Sequence, residues 1–473
     1  MMKTKSYLWL LVLLVASLYA CQKKQDFNYS ELNELTIKSD TAFSIIQFDV
    51  LNINPEIIQS KATGENFTYQ WKIFPTTPVE NMEPKVISTD RALQEAITSP
   101  PIKQGYYLEY KVTNTSTGVS AIKLLKVRVT SVFKDGWLIC NSAEGNAQLD
   151  FIRSDDYRVF DNPGASVNQK TFLGNASGSY TFSSLDGSRF DIAFFTDKEA
   201  FKFNANDFTI SGNIKTTFTP IRDKFTAASS KFNTDMYAIN DGNLYAASTL
   251  DDALDINYSE RLTGDYSLFP KVITNALFMT YFYDNKHQRF MYLSVGSFDL
   301  SPAFGSSTDA FDMGNTKLGM VAAMDGIKGF GGDDYFFVMQ DANGERYLYG
   351  LSGTTPQFSQ KILNSPNIGN AKTFAASLTL RQMYYAVANQ IYLYDMVSNS
   401  SKLLYTLPSG TIVKELQILP TDGKTLVVAA NKGTAGEMYF FKIDNQGNFV
   451  NQNYDRKLDG FGEISSITYR RLN

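Results

Sequence analysis

The sequence predicts an all-β protein, with an N-terminal immunoglobulin-like β-sandwich followed by a β-propeller of about seven blades. From Thr36 onward, short runs rich in Tyr, Phe, Val, Ile and Thr alternate with Gly, Asn, Asp and Pro, which is the pattern of strands and turns. The sequence has no sustained amphipathic helical periodicity after the first residues. Asp-Gly and Asn-Gly pairs recur, and such pairs supply the positive φ angles of two-residue hairpins.

Residues 1–20 have the pattern of a secretory signal. Two lysines among the first five residues precede the apolar run Tyr7–Val15, and Ala20 precedes Cys21. Because the run is shorter than the roughly 20 apolar residues of a membrane span, we interpret it as an export signal. Leu18, Ala20 and Cys21 resemble the lipobox of bacterial lipoproteins, which implies cleavage before Cys21 and a lipid on its sulfur. An ordinary signal peptide with a chance cysteine and a retained anchor helix are the alternatives.

The lipobox resemblance also implies a location. Acyl chains on Cys21 would hold the mature protein on a membrane. Gln22, rather than Asp, follows the cysteine, which in lipoproteins of diderm bacteria implies the outer membrane. Because Gln22–Asp26 only weakly resembles a surface-export tag, we expect a cell-surface position but leave the periplasmic face open.

Composition limits the partners. The mature chain of 453 residues has a formal charge of −6 after the loss of Lys3 and Lys5, and it has no basic run. We therefore expect no nucleic acid and no anionic lipid as partners, and a membrane contact through the lipid anchor only. Cys140 lies in an apolar strand-like run, so we predict a buried thiol. With Cys21 lipidated, no intrachain disulfide can form.

The predicted domain boundaries give a signal peptide at 1–20, a lipidated tether at 21–37, a sandwich at 38–131 and a propeller-like domain at 132–473. Within the sandwich, alternating patterns predict strands at Phe43–Val50, Phe67–Ile73, Tyr106–Asn114 and Leu124–Thr130. Trp71 is predicted to fill the core. An exposed ligand platform at Trp71 is the alternative.

After Phe133 the sequence becomes repetitive. Paired aromatic strands follow or flank turn dipeptides such as Asp135-Gly136, Asp241-Gly242, Asn343-Gly344 and Asp422-Gly423. From about residue 335 the hairpins recur every roughly 45 to 50 residues, the spacing of four-stranded blades. The repeats lack a consensus, so a large sandwich or a β-helix is the competing architecture.

These segments together resemble a known family. The lipobox, the Tyr69–Ile73 and Gly105–Asn114 strands, and Gly136–Ile139 at the start of a long β-repeat region resemble the PKD-like lipoproteins of Bacteroidetes. Asn240–Tyr245 and Tyr283–Phe290 are similar to further parts of that family. The resemblance implies a SusC/SusD-type transporter and other surface lipoproteins as partners. It carries no set of functional residues.

The sequence offers little catalytic chemistry. The single histidine, His287, lies in a predicted hairpin loop, and Gly329–Gly332 lacks the lysine of a phosphate-binding loop. Carboxylate chemistry stays open, because glycosidases need only two Asp or Glu side chains. The acidic pairs are Asp155-Asp156, Asp251-Asp252 and Asp333-Asp334. The loops that start at Asp341 and Asp444 begin like calcium sites but lack a closing acid.

We therefore predict a non-catalytic lipoprotein of a nutrient importer that binds or presents an oligosaccharide or a peptide. No catalytic residue, metal site or cofactor other than the lipid on Cys21 is predicted, and no ligand-binding residue can be named. The first alternative is a propeller-type glycoside hydrolase or lyase that uses a carboxylate pair. The second is a structural or adhesive surface lipoprotein.

Overall fold

A computed structural model describes residues 33–61, 66–79, 82–102, 104–184, 187, 189–248, 255–274, 278–306, 308–327 and 334–471. The chain divides into two compact units, Met1–Val129 and Thr130–Asn473. The predicted end of the sandwich, residue 131, lies two residues beyond this division. Among the described residues, no helix is both long enough and apolar enough to cross a membrane.

The first unit consists of β-strands. Its strands are β1 (Leu35–Lys38), β2 (Ala42–Ile46), β3 (Val50–Ile53), β4 (Glu56–Gln59), β5 (Phe67–Pro75), β6 (Lys85–Ser88), β7 (Leu93–Ala96), β8 (Tyr106–Asn114) and β9 (Ser120–Thr130). Five of them form a sheet in the order β2-β9-β8-β5-β6, and the pairs β1-β4 and β3-β7 form two smaller sheets. Alternate residues of β8 are buried, which is why this strand has a period of two in its sequence.

Trp71 occupies the centre of the first unit's core. Its side chain is fully buried, its ring stacks on Tyr110 with centroids 4.0 Å apart, and its Nε1 donates a hydrogen bond of 2.9 Å to the Asp90 carbonyl. An indole buried with its N–H satisfied is a structural residue. The prediction of a core tryptophan is confirmed.

The first strands differ in detail from the prediction. Phe43–Val50 was predicted as one strand, but β2 ends at Ile46 and β3 begins at Val50. Phe48 between them has a φ of 71°, in the left-handed region that an extended strand cannot include. The strand β1 begins at Leu35, so the last three residues of the predicted tether lie in a sheet.

The second unit is built of successive sheets. Within its described residues the strands form seven sheets, which we number I to VII in chain order. The strands are β10 (Gly136–Ala143), β11 (Asn146–Arg153), β12 (Val159–Phe160), β13 (Phe172–Leu173), β14 (Ala176–Ser183), β15 (Phe190–Thr196), β16 (Ala200–Asn204), β17 (Ile210–Lys215), β18 (Phe225–Ser229), β19 (Asp235–Asn240), β20 (Asn243–Ser248), β21 (Ile256–Asn257), β22 (Met279–Asp284), β23 (Arg289–Ser294), β24 (Ser301–Pro302), β25 (Gly319–Asp325), β26 (Asp334–Gln340), β27 (Arg346–Ser352), β28 (Thr355–Lys361), β29 (Thr373–Ala376), β30 (Gln382–Val387), β31 (Gln390–Asp395), β32 (Ser400–Thr406), β33 (Thr411–Ile418), β34 (Thr425–Lys432), β35 (Ala435–Lys442), β36 (Arg456–Phe461) and β37 (Glu463–Arg470).

Sheet I contains β10 to β13 with β37, sheet II β14 to β17 with β21, sheet III β18 to β20 and sheet IV β22 to β24. Sheets V, VI and VII contain β25 to β28, β29 to β32 and β33 to β36. One short α-helix, α1 (Pro163–Asn168), and two 3₁₀ helices, Ile368–Asn370 and Val450–Gln452, complete the described elements.

The sheets follow one another around a ring. Each pair of successive sheets encloses one buried apolar cluster, and a further cluster joins sheet VII to sheet I. Central strands contribute alternate residues to two clusters: in β34, Leu426 and Val428 face sheet VI, whereas Val427 and Ala429 face sheet I. Both faces of these strands are therefore buried, which explains their continuous apolar runs. The architecture is that of a β-propeller, as predicted; the number of blades stays a prediction.

The last strand closes the ring. β37 pairs antiparallel with β10, so the end of the second unit completes its first sheet. The other neighbour of β10 is β11, and Gly136 is required by the packing against that strand, because a Cβ at Gly136 would lie 2.2 Å from the Ile152 carbonyl oxygen. Asp135-Gly136 is thus not a hairpin turn, contrary to the prediction. Asp241-Gly242, with φ angles of 49° and 79°, does form the tight turn between β19 and β20.

Candidate functional site

The first strands of sheets V, VI and VII, namely β25, β29 and β33, lie side by side and end around one cavity. We call it the funnel cavity; its volume is about 350 Å³. Nine of its thirteen lining residues are apolar, and the four polar ones are Lys271, Asp325, Glu415 and Gln417. Apolar walls with a few converging polar groups are the usual composition of a ligand site.

A β-bulge places Glu415 in this cavity. The pairing of β33 with β34 shifts register between Val413 and Glu415, and such a bulge changes the direction in which the next side chain points. The Oε2 atom of Glu415 accepts a 2.8 Å hydrogen bond from the Ile467 N–H, and its Oε1 accepts a 2.6 Å bond from Gln417 Nε2. Gln417 also donates to the Ile467 carbonyl over 2.8 Å. These bonds connect the cavity wall to the closing strand β37.

Burial raises the pKa of Glu415, because removal from water disfavours the carboxylate. The hydrogen bonds from Gln417 and Ile467, and the charge of Lys271, act in the opposite direction. Lys271 Nζ itself lies 3.8 Å from Asp325 Oδ2. The cavity therefore contains one cation, Lys271, and two carboxyl groups: Asp325, which lies near that cation, and Glu415, which is hydrogen-bonded to Gln417 and Ile467.

A second cavity, of about 500 Å³, has a different character. Six of its eight lining residues are charged, and they come from the turns around Asp197, Arg222 and Asp241. Three are acidic and three are basic. A cleft of this kind lacks the apolar walls that bind most small ligands, so the funnel cavity is the stronger candidate.

Cys140 is buried, as predicted. Its side chain is fully inaccessible within β10, and burial raises the pKa of its thiol to about 12. A thiolate nucleophile needs a lowered pKa and access to substrate. Cys140 therefore has a packing role in the cluster between sheets I and II.

His287 lies in the turn between β22 and β23, as predicted, and is about one-third exposed. Its Nδ1 is 2.7 Å from Oδ2 of Asp284, a fully buried carboxylate, and its Nε2 is 3.5 Å from Asp265 Oδ2. Asp284 also accepts hydrogen bonds from the N–H groups of Ser267 and Lys286. The histidine thus fixes a hairpin to the preceding segment, and it does not line the funnel cavity.

None of the described members of the acidic pairs lines the funnel cavity. Asp155 and Asp156 both form ion pairs with Arg153, which lowers the pKa of Asp156 to about 2. Asp334 begins β26. Asp251, Asp252, Asp333, Gly329–Gly332 and the predicted lipidation site Cys21 lie outside the described residues.

The two calcium-like loops are hydrogen-bonded turns. Oδ1 of Asp341 accepts the N–H groups of Asn343 and Glu345, and Oδ1 of Asp444 accepts those of Gln446 and Asn448. These carboxylates cap their own loops in the manner of Asx-turns. Among the described residues, no group of three or more His, Cys, Asp or Glu side chains has the arrangement of a metal site.

Sequence reasoning did not find the funnel residues. Glu415 and Gln417 occur in an ordinary alternating strand, and Lys271 and Asp325 are isolated charges in loop-like or strand-end positions. Only the ring brings these sheets together. A bulge in an inner strand has no sequence signal of its own.

Comparison with known proteins gives a family for the N-terminal part. The sequence profile of the PKD-like family matches residues 24–175. The N-terminal domain is PKD-like, and the match extends past Val129 into the first sheet of the second unit. No curated protein matches the chain closely enough to count as a relative.

One solved structure that is similar to this chain is that of a quinonprotein alcohol dehydrogenase-like protein from Bacteroides thetaiotaomicron. It has 14% identity and a TM-score of 0.48, over 90% of this chain and 96% of that one. A functionally unknown protein from Desulfotomaculum acetoxidans has 9% identity and a TM-score of 0.44, over 72% of this chain and 100% of that one. At this level of similarity no activity is transferred from either protein.

Proposed function

We propose that this chain is a non-catalytic, lipid-anchored binding protein of the outer membrane that serves a SusC/SusD-type nutrient importer. Cys21 carries the lipid, and the funnel cavity binds an oligosaccharide or a peptide. The single observation that carries the binding role is the apolar funnel cavity with its four polar groups.

The state of Glu415 supports binding rather than catalysis. Each of its carboxyl oxygens already accepts a hydrogen bond from the protein, one from Gln417 and one from Ile467. A general acid must direct its proton at the substrate. Here the carboxyl group instead holds the cavity wall against β37.

The importer context is tested by co-purification. Tagged full-length chain is extracted from native membranes and its partners are identified by mass spectrometry. Recovery of a TonB-dependent transporter with its lid protein is expected. A Cys21→Ala chain, which cannot be lipidated, should lose these partners together with the membrane fraction. If the wild-type chain brings down no transporter, the importer role is wrong and the adhesive or structural alternative gains.

The ligand site is tested by direct binding. Oligosaccharide and peptide pools are screened by calorimetry, and ligands that bind are repeated with Gln417→Leu. This variant removes the amide of a residue that lines the cavity, together with its hydrogen bonds to Glu415 and Ile467, while keeping the side chain similar in size. We expect at least tenfold weaker binding. Arg222→Ala, in the second cavity, is the matched control and should bind as the wild type does. Equal affinity of Gln417→Leu and wild type would place the ligand elsewhere.

A second candidate function rests on the two carboxyl groups of the same cavity. Glu415 has a raised pKa and Asp325 carries the other carboxyl, and glycoside hydrolysis uses two such groups. Product release from a polysaccharide panel, abolished by Glu415→Gln, would establish the hydrolase. A panel without any product supports the binding protein.

A further inference from the structure

The five-stranded sheet of the PKD-like domain has one face in the core and one face in solvent. Alternation along β9 puts Leu125 and Val127 inside, and Ile122, Leu124, Lys126 and Arg128 outside. We call the solvent side of this sheet the outer face. From β5, β6 and β8 it also includes Lys72, Phe74, Val86, Tyr107, Glu109 and Lys111.

The outer face is basic. It carries Lys72, Lys111, Lys126 and Arg128, and its one acid, Glu109, lies 3.3 Å from Lys72. The whole chain is acidic, with 44 basic and 48 acidic residues, so this excess of positive charge is local. No basic run announces it in the sequence, because the cations occupy alternate positions on paired strands. The expectation that anionic lipid is no partner rested on that missing run.

The same face is also apolar. Ile122 is 58% exposed and Leu124 is 49% exposed, and they lie next to Lys126 on the same side of β9. Across the pairing, Tyr107 lies opposite Lys126, and its ring centroid is 6.0 Å from that of Phe74. Val86 at the neighbouring edge is 46% exposed. Cations beside exposed aliphatic and aromatic side chains are the composition of a surface that enters a lipid headgroup layer.

We propose that the outer face rests on a membrane surface that carries a net negative charge on its lipid phosphate groups. The three cations not paired within the face, Lys111, Lys126 and Arg128, contact lipid phosphates, and Ile122 and Leu124 enter the headgroup layer. Eleven residues separate Cys21 from Asn33, a tether of at most about 40 Å. A tether this short keeps the sheet within reach of the leaflet that holds the anchor. An acidic protein partner would find the same charges but would not need the exposed aliphatic pair.

This proposal rests on the lipid anchor of the proposed function and adds a second membrane contact, which orients the PKD-like domain on the membrane.

The test uses lipidated full-length chain reconstituted into vesicles. A donor fluorophore is attached to Thr68→Cys on the outer face, or to Gln94→Cys on β7 as the comparison site. Both native positions are exposed. Native Cys140 does not react because it is buried, and Cys21 is blocked by its lipid.

Energy transfer to acceptor-labelled lipids reports how close each site lies to the membrane. On vesicles with anionic phospholipid we expect transfer from residue 68 to be at least about twofold higher than from residue 94. The difference should disappear in vesicles of phosphatidylcholine alone and in high salt, which screens the charges. The variant K126E/R128E should remove it, whereas K402E/K414E, with the same charge change at exposed sites of the propeller, should not.

The outcomes separate the two proposals. If the chain does not enter vesicles, the anchor fails and with it the proposed function. If the chain is anchored but residues 68 and 94 show equal transfer, or if K126E/R128E behaves as the wild type, the outer face does not contact the membrane. In that case the face is free for a protein partner, and the present proposal is wrong.

Discussion

Asp150 should make the stability of the second unit depend on pH. It lies in β11 with 4% of its surface exposed, where Oδ2 accepts a 2.7 Å hydrogen bond from Asn141 Nδ2 and Oδ1 accepts a 2.7 Å bond from the Asn162 N–H. Burial raises the pKa of this carboxyl group from 3.8 to about 6, because the two hydrogen bonds replace water only in part.

The sign and the size of this pH dependence follow from the difference in proton binding between the folded and the unfolded chain. The folded protein holds the Asp150 proton more tightly than the unfolded chain does. This group's contribution to the free energy of unfolding is therefore complete below pH 3.8 and is lost as the pH rises through about 6. With these two pKa values, we expect a loss of about 1.4 kcal/mol between pH 5 and pH 8. Asp150→Asn cannot titrate and should lack this loss.

The assay is urea unfolding at pH 5 and pH 8, followed by the fluorescence of Trp137. This side chain is 1% exposed in β10, the strand that pairs with β11. A Trp71→Phe background removes the signal of the first unit. The quantity compared is the change in the free energy of unfolding between pH 5 and pH 8. Any effect of the asparagine on hydrogen bonding is the same at both pH values and therefore cancels in this difference.

Exposed Asp309→Asn is the matched control and should keep the wild-type pH difference. A raised pKa of Asp150 is refuted if Asp150→Asn and the wild type lose the same stability between pH 5 and pH 8. It is also refuted if the variant loses more, because the carboxyl would then be stabilised in its charged form.

Three further predictions concern buried groups of the second unit. Lys202→Met should lower the free energy of unfolding by about 3–5 kcal/mol, because it leaves the buried carboxylate of Asp191 without its cation; the Asp191 side chain is 4% exposed and lies 3.0 Å from the Lys202 Nζ. Urea unfolding measures this loss, and the double variant K202M/D191L should recover most of it. Cys140 should not react with an aromatic disulfide reagent at pH 8 in the folded chain and should react fully in denaturant; reaction of the folded chain within minutes would contradict its burial. Gly136→Ala should lower the free energy of unfolding by more than about 2 kcal/mol, because its Cβ would clash with the Ile152 carbonyl oxygen. The control is Gly369→Ala, whose Cβ meets no atom within 4 Å and which should stay within about 0.5 kcal/mol of the wild type; thermal unfolding measures both variants.

Local sequence patterns predicted what is decided locally. The period of two along β8 and the aromatic hairpins identified strands, and the core position of Trp71 followed from its place in an alternating strand. Continuous apolar runs such as Tyr335–Met339 arise because propeller strands are buried on both faces. These signals specify the architecture but not which sheet edges and ends come together.

The candidate site depends on longer-range geometry. Glu415 is positioned by a bulge and by its hydrogen bond to Ile467, 52 residues later, and neither leaves a pattern in the residues around it. The basic outer face depends on which strands pair, because Lys111 and Lys126 come from neighbouring strands. The described members of the acidic sequence pairs do not line the funnel cavity, and the carboxyl groups that do line it belong to different sheets.

The pairing of β10 with β37 has a consequence for biogenesis. The Cys140 carbonyl accepts a hydrogen bond from the Ser465 hydroxyl, which follows it by 325 residues. The first sheet of the ring therefore cannot be completed until almost the whole of this sequence has been synthesised. During that interval β10 exposes an unpaired, apolar edge, the kind of edge that recruits other chains. Contacts of such long sequence separation also form slowly. A chain that stalls before residue 463 leaves the ring open, so folding of this protein should depend on chaperones that protect open sheet edges.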